Sequence, residues 1–308
     1  MIVRGALGGG VILGLLTVVV LLRSLLPPLA DRLHAIRVGG DVTLLEADFG
    51  KIFSRVPLVV AQRLEEELSR FLSSFLRTAA QDFDLSRVEV GELGLTIDLW
   101  ESQEELARYY QSIHRDDFSN NGGYYDPSSR TIALVAGADY DSLRRAVFHE
   151  ATHLIFDLFA SGRGGRFPRW LGEGLAVYFE GAVVEGGEVR VGGREALTPE
   201  LVALARLARL GLGFGEGPGP ELPDLDDLLA SEPQNFRSET NVLYYAQSAF
   251  LVHFLLEEAG PDVRQAFLDL CRRPEVRTRT TRSLARALHL APEELEGSFS
   301  AFLGNLLR

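Results

Sequence analysis

Cysteine is almost absent from this chain. Cys271 stands alone, so no disulfide can form within it, and cysteine usage sets no redox compartment. Lysine is as scarce: Lys51 is the only one, and arginine carries the rest of the positive charge, which reflects a GC-rich genome rather than a function. Basic charge is in deficit, with 31 basic against 43 acidic residues and a net charge of −12. That argues against a nucleic-acid surface, which requires a basic face. No internal repeat is visible. Apolar residues are not lacking. At 46% hydrophobic and 24% charged, the 308 residues describe a globular chain with room for one large domain or two ordinary ones.

One long uncharged run is present. Gly5 to Leu22 is bounded by Arg4 and Arg23 and sits at the lower length limit of a membrane-spanning helix. A cleaved signal peptide would need small residues before its cut. The bulky Pro28 before Asp31, and Leu33 before Ile36, are poor at that position. The run is therefore expected to be an uncleaved single-pass anchor. Arg23, Arg32 and Arg37 come after it and argue for a cytoplasmic body by the positive-inside rule. A lone N-terminal apolar segment with one leading arginine usually exports the rest of its chain. An extracytoplasmic body is the expectation.

Pro27-Pro28 ends this segment, so residues 1–30 read as the anchor or signal segment and 31–40 as a linker closed by Gly39-Gly40. The body spans 41–308. Val42 to Glu46 reads as a strand, and Pro57 to about Ala80 as a helix with Val60, Leu64, Leu68, Phe71, Leu72, Phe75 and Leu76 in one stripe. Leu93 to Trp100 alternates apolar and polar residues, which predicts a strand buried on one face. Ser102 and Glu105 then form a capping box for a helix to Tyr110. Thr131 to Ala136 is a further strand. This order predicts an α+β class: a small mixed sheet with packed helices over 41–160, and a mainly helical lobe over 161–308. In the second part, Ala182 to Val191 reads as a hairpin, Thr198 to Gly211 as a helix, and 211–220 as a glycine- and proline-rich loop. Helices continue from Asp224, with Asn241 to Glu258 the longest.

The six histidines divide into two groups. His34, His114, His253 and His289 are scattered and read as surface or partly buried side chains. The other two form His149-Glu150-Ala151-Thr152-His153. On a helix, residues four apart lie one turn apart on one face, so both imidazoles can reach one ion, and Glu150 can lie beside a bound water. The flanks agree. Leu143, Ala146, Val147, Leu154 and Leu158 recur at helical spacing, Asp139 or Asp141 can cap the start, and Ser161-Gly162 can end it. Glu173, in Trp170-Leu171-Gly172-Glu173-Gly174-Leu175-Ala176-Val177-Tyr178, is the candidate third ligand. Two histidines, a glutamate and an open position make a catalytic zinc set, whereas a structural site would be filled by four protein ligands.

These two motifs together resemble the gluzincin metallopeptidases, and more closely the bacterial peptidase MA-like family. The likeness extends from Asp41 to Gly260. It includes Gly123-Tyr124-Tyr125-Asp126-Pro127, the apolar strand Thr131 to Ala136, and Tyr245-Ala246-Gln247-Ser248. One position departs. Thermolysin-like gluzincins carry an aspartate four residues after the ligand glutamate, and this chain has Val177 there.

The resemblance implies a zincin-like fold and peptide-bond hydrolysis on a peptide or protein substrate. His149, His153 and Glu173 would hold Zn²⁺, and Glu150 would be the general base. Tyr245, or its neighbour Tyr244, would donate to the oxyanion. Asp157 could orient His153, although a solvated carboxylate is the simpler reading, and Tyr124 and Tyr125 read as turn and packing residues. Thr131 to Ala136 is expected to be an edge strand that a substrate extends. The chain lacks a Gly-x-Met-x-Asn exopeptidase motif before the zinc helix, which favours an endopeptidase. The alternatives are a membrane-anchored binding or scaffolding protein that keeps the fold, and a zinc amidase acting on a non-protein amide.

Overall fold

The computed structural model describes residues 35–39, 42–85, 88–114, 123–137, 139–162, 164–190, 197, 202–203, 205–206, 222–236, 241–273 and 278–308. The apolar run Gly5 to Leu22, the Pro27-Pro28 break, and most of the helix and loop expected over 198–220 lie outside the described residues. Among the described residues, no helix is long and apolar enough to cross a membrane.

Six strands form one mixed sheet: β1 (Ala35–Gly39), β2 (Val42–Ala47), β3 (Gly50–Ser54), β4 (Leu95–Trp100), β5 (Gly123–Asp126) and β6 (Thr131–Val135). Their order is β1-β2-β3-β4-β6-β5. The first three form an antiparallel meander, β3, β4 and β6 run parallel, and β5 returns antiparallel to β6. β1 occupies the stretch that reads as linker in the sequence. Parallel neighbours need a crossover, and α1 (Leu58–Phe83) supplies it between β3 and β4. The α1 stripe from Leu64 to Leu76 is buried, as its spacing predicts. α2 (Gln103–His114) covers the opposite face, where Leu106 packs against Trp100 and Ala133. Ser102 caps α2 by accepting from the Glu105 amide. β4 is therefore buried on both faces. Leu95, Ile97 and Leu99 face one core and Trp100 the other, with Asp98 paired to Arg55. The alternation in its sequence predicts one buried face; α2 supplies the second cover.

The edge differs from the expectation as well. β6 is an interior strand, paired on both sides, with Ile132 matched to Ile97 and to Tyr125. Among the described residues the edge beside it is β5, whose Gly-Tyr-Tyr-Asp sequence is too short to show a period.

α3 (Tyr140–Ser161) comes after β6 and lies on the α1 face, where Phe148 stacks on Phe71 with ring centroids 4.1 Å apart. α4 (Arg169–Glu180) packs across α3, and β7 (Val183–Glu185) and β8 (Glu188–Arg190) form the expected hairpin. Gly186 and Gly187, with φ of 59° and 83°, make its turn. Helices complete the chain: α5 (Leu225–Leu229), α6 (Asn241–His253, continued by a π-turn to Glu258), α7 (Pro261–Cys271), α8 (Thr281–Ala287) and α9 (Pro292–Leu306). His253 is fully buried and stacked against Phe302, so it belongs to this core.

α4 and α6 approach so closely that Gly174 has no room for a side chain. A Cβ there would lie 2.6 Å from both the Ser248 carbonyl oxygen and Val252 Cγ2. An exposed helical Gly→Ala change ordinarily gains ~1 kcal/mol of helix propensity. Gly174→Ala should reverse that sign, because the obstacle is a backbone oxygen. Overpacking of this kind costs ~1–3 kcal/mol. Calorimetry should show a melting temperature lowered by on the order of 5 °C. An unchanged or raised melting temperature would mean the two helices can separate freely.

Candidate metal centre

Asp139 starts α3 by accepting from the Ser142 amide at 2.8 Å, and the helix runs unbroken through the His-Glu motif. Its core face carries Phe148, Ala151, Thr152, Ile155 and Phe156. The opposite face presents His149, Glu150 and His153, all half-buried, with the two imidazole centroids 4.9 Å apart. α4 brings Glu173 against them with 1% exposure. Glu173 Oε2 lies 3.4 Å from His149 Nε2 and 3.3 Å from His153 Nε2.

That spacing fits a shared metal ion. Ligands at ~2.0–2.2 Å in a tetrahedron stand about 3.4 Å from one another. Both Glu173 oxygens are buried, an arrangement that is costly unless ions or ion pairs compensate. Oε1 has the guanidinium of Arg169 at 2.7 Å, which leaves Oε2 facing the imidazoles. Burial works against ionised Glu173. The charge of His153, hydrogen bonds from both imidazoles and the charge of Arg169 overcome it and hold the carboxyl well below its usual pKa. His149 shows the mirror case. Burial opposes its charge, yet hydrogen bonds to Glu173 and Glu180 and the charge of Glu150 hold its pKa well above the usual imidazole value. The metal-free group thus favours a protonated His149, whose proton a divalent cation would displace.

Glu180 is the residue that sequence reasoning missed. Its Oε2 accepts from His149 Nδ1–H at 3.0 Å, so Nε2 is the nitrogen left to bind a metal once its own proton has gone. Glu180 lies seven residues after Glu173, two helical turns along the same face. That i, i+7 relation was visible in the sequence. The position four residues on, Val177, is instead buried in the core. Removing such an outer carboxylate typically costs 10–100-fold in metal affinity. Glu180→Ala should therefore weaken zinc binding by ~10–100-fold in competition with a chromophoric chelator. Parent-like affinity would show that Glu180 does not hold the imidazole.

Tyr245, on α6, approaches the same group, its ring centroid 6.3 Å from that of His149. Burial first, and then the charges of Glu173 and Glu150, push its hydroxyl pKa well up, so it remains a donor. Tyr244 turns aside, its hydroxyl accepting from Asn235 Nδ2 at 3.4 Å. Asp157 makes no hydrogen bond to His153 among the described residues. Its charge, after burial, instead raises the pKa of Tyr125. Tyr124 packs on the Trp100 side of the sheet and Tyr125 on the α3 side, which makes both packing residues. Gly123 at the start of β5 faces Glu150: a Cβ there would lie 3.5 Å from Glu150 Oε1 and 2.6 Å from Leu134 Cδ2. The start of β5 and the Glu150 carboxylate are thus neighbours.

Residues 145–276 match the sequence family described as "Protein of unknown function (DUF1570)". His149, Glu150, His153, Arg169, Glu173, Glu180 and Tyr245 all fall within that span, and Gly123 falls before it. No curated protein matches the chain.

Proposed function

We propose that this chain is a zinc-dependent peptidase of gluzincin type, with a zincin-like fold, and that it cleaves within peptide or protein chains. The observation that carries this reading is the 3.3–3.4 Å spacing of the two Nε2 atoms from Glu173 Oε2, with Glu150 on the same helix face. Bound there, zinc would supply a Lewis acid that polarises a carbonyl and lowers the pKa of water.

The chain's own residues do the rest. β5, the edge strand among the described residues, offers its outer side to an extended peptide, whose backbone pairs with it and needs no particular sequence. Gly123, without a side chain, lets β5 run close beside Glu150. Glu150 takes a proton from the attacking water and passes it to the departing amine. Tyr245 donates from α6 to the oxygen that gains charge as the carbonyl becomes tetrahedral. Glu180 fixes the tautomer of His149 throughout. In this reading Gly5 to Leu22 anchors the chain in a membrane with its body outside the cytoplasm.

The test is metal removal and return. Purified protein should carry about one zinc per chain and cleave an unfolded protein substrate. Chelation should abolish cleavage, and zinc should restore it. Cleavage that persists in the chelated protein would exclude the metal from the chemistry. Zinc binding without cleavage of any peptide would favour a binding or scaffolding role.

A further inference from the structure

Arg169 stands at the metal group and has no part in the chemistry above. It is the first residue of α4, with Nη2 2.7 Å from Glu173 Oε1. Its side chain keeps 41% exposure against 1% for Glu173. It lies near enough to Tyr245 for its charge to act on that hydroxyl, and 5.6 Å from the ring centroid of Phe236. The guanidinium is thus clamped by fixed neighbours and still reaches solvent. A guanidinium has five N–H donors in a planar fork, so these contacts leave donors for an incoming group.

Charge indicates what that group is. Glu173 is the only carboxylate paired with Arg169 among the described residues. With a divalent cation on Oε2, the Glu173 charge is shared, and the guanidinium charge is left uncompensated. This is a localised positive corner on a chain of net charge −12. A rigid planar fork in such a place suits a carboxylate.

Reach limits where the carboxylate can sit. The guanidinium is separated from the ligand oxygen by one carboxyl group, and a peptide advances at most ~3.3–3.6 Å per residue. We propose that Arg169 selects substrates bearing a carboxylate within one or two residues of the bond to be cut, from a free C-terminus or from an Asp or Glu side chain. This rests on the peptidase reading above. Two other roles make different predictions. A guanidinium that only braces Glu173 affects metal binding and all substrates alike. One that only stabilises the oxyanion lowers kcat for acidic and neutral substrates equally.

Binding without turnover tests it. Zinc-loaded Glu150→Gln protein is titrated calorimetrically with peptide pairs that differ by one charge. One pair has a C-terminal acid against a C-terminal amide, and the other has Asp against Asn beside the scissile bond. The acid should bind at least about tenfold more tightly in one pair, and that pair identifies the source of the carboxylate. Adding Arg169→Met should remove the preference, and Arg169→Lys should retain part of it, with zinc content measured in each. If the methionine variant does not fold, Arg169→Gln is read in the same way. Equal affinities in both pairs, no binding of any peptide, or a preference that survives loss of the guanidinium would overturn the proposal. If the parent cleaves peptides without preferring acidic ones, this inference fails and the peptidase reading stands. If acidic peptides bind preferentially but none is cleaved, the peptidase reading fails and Arg169 remains a carboxylate site.

Discussion

Glu150→Gln should keep its zinc and its fold and lose hydrolysis by ~10²–10⁴-fold, the usual worth of a positioned general base. The amide is nearly isosteric with the carboxylate, and Glu150 is not one of the three donors that lie within 4.8 Å of one another. Glu150 is half-buried rather than part of the core, so the substitution removes no core side chain. Glutamine cannot accept and return a proton at neutral pH, which confines the loss to the chemical step. The loss should appear in kcat, with zinc content and melting temperature unchanged. Parent-like cleavage by this variant would exclude Glu150 as the base and, with it, a gluzincin-type mechanism.

The second large effect concerns the metal itself. His149→Ala, His153→Ala and Glu173→Ala should each lose zinc by more than the ~10–100-fold expected for removing Glu180. Each deletes one of the three proposed ligands, and two remaining donors would hold zinc poorly. Glu173 is the most informative of the three. Its oxygens are buried, and it is the only carboxylate paired with Arg169 among the described residues. Glu173→Ala therefore also strands a guanidinium, and its metal-free form should melt below the metal-free parent. Glu173→Gln separates the two effects, because it keeps the volume and removes the charge. Zinc measured by elemental analysis after dialysis decides the question. Full retention in both Glu173 variants would remove that residue from the ligand set.

Metal binding should also weaken as the solution is acidified. The imidazoles bind metal only when neutral, and the metal-free group holds His149 protonated well above the ordinary imidazole range. This is the same competition between proton and cation, read from the other side.

What the sequence determined by itself is local. A four-residue histidine spacing puts two side chains on one helix face wherever that helix lies, and Asp139 and Gly162 mark its ends within a few bonds of chain. The buried stripe of α1 and the glycine turn between β7 and β8 are legible for the same reason: each depends on a period or a dihedral that neighbouring residues carry themselves. The place of Glu173 beside the two histidines was legible only through its motif, since nothing in nineteen intervening residues says how α4 folds back on α3.

Only the tertiary structure could decide the rest, because pairing and packing are relations between distant segments. β1, β3 and β5 are four or five residues long, too short to show a period, and exist because a neighbouring strand completes their hydrogen bonds. β6 looks the same in sequence whether it is an edge or an interior strand; β5 alone makes it interior. Val177 and Glu180 lie on one helix, but α4 buries the first in the core and brings the second to His149. Arg169 is an ordinary exposed arginine in the sequence. The fold makes it a cation at the metal group, because α4 and α6 close over α3 and place Glu173, Tyr245 and its guanidinium together.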